Sequence, residues 1–116
     1  MQILINTDRT VESGADLVEM VETRVGAALE RYDDRLTRIE AHLSDEDGPK
    51  SGRGNDKRCL LEARPAGRHP VVTTGVGGTL ERACADAARK MQRLLDTTFG
   101  RLDDRDGDAT IRQGDA

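Results

Sequence analysis

The stretch that most constrains this chain is 79–100, TLERACADAARKMQRLLDTTFG. Leu80, Ala83, Cys84, Ala87, Met91, Leu94 and Leu95 recur at helical spacing and predict a helix with a single apolar stripe. Thr79 reads as its N-cap and Gly100 as its stop. At about 100° per residue, Arg82, Arg89 and Arg93 fall within roughly 40° of one another on the opposite side, with Lys90 on their flank. A helix that is apolar on one side only must lie against another layer. The rest of the chain therefore has to supply a sheet and a partner helix, and the cations are left outward, where they suit a polyanion.

The remaining segments supply both. Residues 2–6, QILIN, read as a strand with Ile3 and Ile5 on one side. From Glu12 or Gly14 to about Tyr32, a first helix places Leu17, Val18, Val21, Val25, Ala28, Leu29 and Tyr32 on one face. Met20, Arg24 and Arg31 run along one edge of that stripe, and Glu19, Glu22 and Glu30 along the other. Residues 36–44 alternate, with Ile39, Ala41 and Leu43 inward and Arg38, Glu40 and His42 outward. Residues 57–64 do the same, with Cys59, Leu61 and Ala63 inward. A last strand, 71–76, ends at Gly77-Gly78. The segment 45–56, DEDGPKSGRGND, is a loop of turn formers and charges; its GRG lacks the strand–loop–helix setting and Lys-Ser/Thr of a phosphate loop. The order β-α-β-β-β-α predicts an α+β fold. Three strands pair antiparallel, the first returns through a helix to pair in parallel, and both helices pack on one face of a four-stranded sheet. Residues 1–102 form this domain, and 103–116 read as a disordered acidic tail.

Composition bounds the function. One domain of 116 residues has no room for an enclosed substrate chamber with a lid. Tyr32 and Phe99 are the only aromatics, so the core is aliphatic and base stacking is not the mode of recognition. Cys59 and Cys84 occupy apolar positions without metal-ligand spacing, and read as buried thiols. His42 and His69 lack a nucleophile with a third orienting group, so no catalytic residues, metal or cofactor are expected, and no small-molecule substrate. No run approaches a membrane span and the N-terminus does not read as a signal peptide, which predicts a cytoplasmic protein. The net charge of −4 opposes nucleic-acid binding, but the tail after Gly100 holds three Arg against five Asp and so supplies −2 of it. A row of guanidinium groups along a helix meets successive phosphates, because each binds phosphate oxygens bidentately and stays ionised.

The segment 40–64, EAHLSDEDGPKSGRGNDKRCLLEAR, resembles the ribosome hibernation-promoting factor family, also described as ribosome-associated inhibitor, ribosomal subunit interface protein or sigma-54 modulation protein. MQILINTD, YDDRLTRIE and TLERACADAARKMQRLL fit the same family, so the resemblance spans residues 1 to about 102. It implies a fold similar to a double-stranded-RNA-binding domain. It also implies binding to the small ribosomal subunit and its rRNA in the mRNA/tRNA channel, which inhibits translation and preserves idle ribosomes in stress or stationary phase. Carried over, Lys90 and Arg93 match the basic positions of the last helix best, Arg82 and Arg89 share or flank that face, and Arg24 and Arg31 correspond on the first helix. The chain departs from the family in three places. DTTFGRL replaces further lysines, Asp33 sits where an aromatic is common, and the C-terminal dimerisation domain of the long form is lacking, so self-pairing of two ribosomes through that domain is not expected. A monomer is expected. The alternative is a protein-binding stress regulator on the same fold, without ribosome affinity, using the acidic loop and tail.

Overall fold

A computed structural model describes residues 1–45 and 57–115, with side chains as far as Arg101. Asp45, expected in the loop over 45–56, instead ends the second strand; residues 46–56 and the tail side chains lie outside the described residues. Three strands pair antiparallel in the order expected, and the first lies parallel beside the second: β1 (Gln2–Thr7), β2 (Leu36–Asp45), β3 (Lys57–Pro65) and β4 (Val71–Gly77) form one sheet in that spatial order. The β1–β2 pair is parallel, with Ile3 opposite Ile39, because an intervening helix returns the chain. Helices α1 (Ala15–Ala28) and α2 (Leu80–Asp115) complete the β-α-β-β-β-α order.

The alternation written into the strands is obeyed. Ile39, Ala41 and Leu43 of β2 and Cys59, Leu61 and Ala63 of β3 are buried, while His42, Arg58 and Arg64 on the opposite face are exposed. From the helices come Val21, Val25, Met91 and Leu95, all fully buried. The core is aliphatic, as the scarcity of aromatics requires; Tyr32 and Phe99 meet at its edge with ring centroids 5.2 Å apart. Cys59 and Cys84 are both buried, and the hydrogen bond between them together with burial pushes the Cys59 thiol up.

One contact fixes how α2 lies on the sheet. Gly75 of β4 faces the helix, and a Cβ there would fall 2.2 Å from the Ala83 carbonyl oxygen and 2.3 Å from the Ala87 nitrogen. Glycine opposite alanine brings helix backbone directly onto strand backbone. Thr73 secures the same seam by donating its hydroxyl to the Ala87 carbonyl at 3.0 Å.

Two helix ends differ from expectation. The first helix stops at Ala28, and a 3₁₀ turn over Glu30–Tyr32 carries the chain onward while keeping Tyr32 buried. At the other end, Gly100 does not stop α2. The helix continues to Asp115, and Gly100 has no left-handed φ. A helix already anchored by a packed N-terminal half gains one hydrogen bond per added residue, which outweighs the entropic cost of a single glycine.

Candidate nucleic-acid interface

Helix α2 begins as its sequence requires. The Thr79 hydroxyl accepts the Arg82 N–H at 3.0 Å, and its carbonyl accepts the Ala83 N–H, the arrangement of an N-cap. With Ala83, Ala87, Met91 and Leu95 buried, Arg82, Arg89 and Arg93 are left on the exposed side, one to two turns apart. The side chains of Arg82 and Arg93 meet no partner among the described residues.

The other cations are engaged. Asp86 lies in the same row and gathers two of them: Arg89 at 2.5 Å and Lys90 at 3.1 Å. Its second role is on the sheet edge, where it accepts the Val76 N–H at 3.2 Å while Lys90 donates to the Thr74 carbonyl at 3.0 Å. The Asp86–Lys90 pair thus covers outward-facing backbone groups of β4, an edge that is otherwise open to another strand. The hydrogen bond from Lys90 and that from Val76, with the charges of Lys90 and Arg89, hold the Asp86 carboxyl below its ordinary value.

Arg24 and Arg31 do not join this row. They stand on α1 and the 3₁₀ turn and reach across the seam between the helices, Arg24 to Glu81 and Arg31 to Asp96. Asp96 also accepts the Tyr32 hydroxyl, and the Arg31 guanidinium lies 5.2 Å over the Tyr32 ring. Burial and the Asp96 contact push the Tyr32 phenol above its usual value. These two arginines therefore fasten the helices together while keeping roughly half of their side-chain surface in solvent. Arg101 is a further exposed cation of α2, one residue beyond the expected stop at Gly100.

The outward sheet face carries self-neutralising pairs. Arg38 meets Glu40 at 3.2 Å, Arg64 meets Glu62 at 3.5 Å, and His42 lies 3.5 Å from Glu40. Val72 and Val76 are its exposed apolar residues on β4. Among the described residues no group of three His, Cys, Asp or Glu side chains is placed to hold a metal ion, and no helix is long and apolar enough to cross a membrane.

The family model for sigma 54 modulation protein / S30EA ribosomal protein matches residues 4–102. The chain belongs to this family. The match covers β1 from Leu4 onward, β2 to β4, α1 and the packed part of α2, so the S30EA domain and the observed fold coincide. Two solved structures share that fold. The Thermus thermophilus Protein Y N-terminal domain superposes with a TM-score of 0.67 at 20% identity, over 84% of this chain and 99% of that one. A ribosomal subunit interface protein from Coxiella burnetii gives 0.68 at 13% identity, over 86% and 99%. No curated protein sequence gives a significant match.

Proposed function

We propose that this S30EA-family chain binds the small ribosomal subunit through rRNA of the mRNA/tRNA channel, blocks translation there and preserves idle ribosomes under stress or in stationary phase. It acts in the cytoplasm as a monomer and needs no catalytic group. The observation that carries this reading is the row of Arg82, Arg89 and Arg93 on the exposed side of α2, opposite the packed face. Family membership and a fold shared with a ribosomal subunit interface protein support it. The carboxylates in the row do not block phosphate binding. Arg89 keeps 61% of its side-chain surface in solvent, so its guanidinium can take a phosphate while Asp86 stays bonded to Lys90 and Val76. Such contacts position the protein on folded RNA without reading sequence.

Four of the six candidate cations are paired with carboxylates, and the net charge is −4. These facts favour, as a second reading, a protein-binding regulator on the same fold. Co-sedimentation with purified small subunits separates the two. Wild type should pellet at low salt, and Arg82→Ala/Arg89→Ala/Arg93→Ala should remain in the supernatant while keeping its fold by circular dichroism. Wild type that never pellets sinks the ribosome reading, and a triple variant that pellets equally well sinks the assigned face.

A further inference from the structure

A second set of basic side chains gathers at the hairpin joining β3 to β4. Residues 65–70 turn sharply there. The Arg68 N–H donates to the Pro65 carbonyl at 3.1 Å, and Gly67 adopts a left-handed φ of 70°. The Ala66 N–H donates to the Arg35 carbonyl at 3.1 Å, which ties the turn to the segment leading into β2. Arg64, Arg68 and His69 are thereby held around an open pocket of about 500 Å³, completed by Thr37, Pro65 and Gly67.

The charges at this corner are incompletely matched. Arg38 and Arg64 stand directly opposite one another on β2 and β3, an unfavourable placement for like charges. Each leans on a glutamate of its own strand, Arg64 at the long distance of 3.5 Å. The Arg38 Nε is buried with no hydrogen-bond partner. Arg68 and His69 are exposed, and their side chains meet no partner among the described residues. A small multivalent anion in this pocket would supply acceptors for Arg64, Arg68 and His69 together. A guanidinium fork takes a phosphate bidentately, and the Thr37 hydroxyl and His69 ring add single bonds.

We propose that this hairpin is a second phosphate-binding point for RNA, on the side of the sheet that Arg64 faces and therefore not continuous with the α2 row. This deepens the ribosome reading and rests on it for the identity of the RNA. Two cationic points on different faces require phosphates on two sides of the protein. The partner is then a cleft in folded RNA, and not a single duplex lying along one helix.

The test titrates ¹⁵N-labelled protein with a short RNA duplex and follows the amides of Gly67, Arg68 and His69 beside those of Arg82, Arg89 and Arg93. Both groups should shift. Arg64→Ala/Arg68→Ala should lose the hairpin shifts, keep those of α2, and make the slope of log affinity against log salt for small subunits less negative by about 1–2. Shifts along α2 with none at the hairpin overturn the proposal and leave the ribosome reading standing. Shifts at the hairpin in a protein that never pellets with small subunits uphold the phosphate point and overturn the ribosome as its source. Shifts at neither group overturn the hairpin site.

Discussion

Asp86 joins two tasks that pull in opposite directions. Its carboxylate braces the β4 edge through Val76 and Lys90, and it also cancels charge beside Arg89. Its folded-state value is held below the usual 3.8, chiefly by the Lys90 hydrogen bond. The stability it contributes is therefore fully present above that usual value and is lost as pH falls through the folded one. Asp86→Asn keeps an acceptor for Val76 but removes the charge. Urea unfolding of this variant should show a shallower loss of stability on acidification than wild type, with a cost near neutrality of about 1 kcal/mol. The same variant should bind RNA more tightly, because Arg89 and Lys90 are released from a competitor; equal affinity would mean that this pair does not limit binding.

Elements are held by backbone proximity as much as by side-chain volume. Gly75→Ala forces a methyl into the Ala83 carbonyl and the Ala87 backbone, where no flexible side chain can yield. Thermal unfolding should show a loss of about 1–3 kcal/mol or more, with α2 displaced. Gly100→Ala tests the other end of the helix. Nothing lies within 4 Å of a Cβ at Gly100, and its backbone is helical, so alanine should stabilise by about 0.5–1 kcal/mol. A loss would mean a left-handed stop at this position. Periodicity made the strands, their inward residues and the α2 row legible, since each follows from a repeat of two or of 3.6 residues, and capping chemistry marked Thr79. The seam partners of Arg24 and Arg31 lie 57 and 65 residues away in sequence, beyond the reach of any local pattern. Gly75 read only as part of a strand, because close approach of two backbones leaves no apolar signal. The continuation of α2 past Gly100 leaves no such signal, because local stop chemistry carries no trace of propagation from an anchored helix.

Across the whole molecule, charged side chains gather in local groups. Glu12, Asp16, Glu19 and Glu81 surround grooves at the start of α1 and α2, whereas Arg64, Arg68 and His69 lie at the hairpin from which β4 leads away. With three to five phosphate contacts in total, log affinity for small subunits against log salt should have a slope of about −2 to −4.5. A slope much steeper than that would require contacts beyond the two faces described. The bracing of β4 by Asp86 and Lys90 reaches further still. Copies crowding side by side would find two rungs of that border already taken, so a ribbon of joined sheets has no easy start there. Lateral pairing of two molecules would have to begin at the far border, along β1.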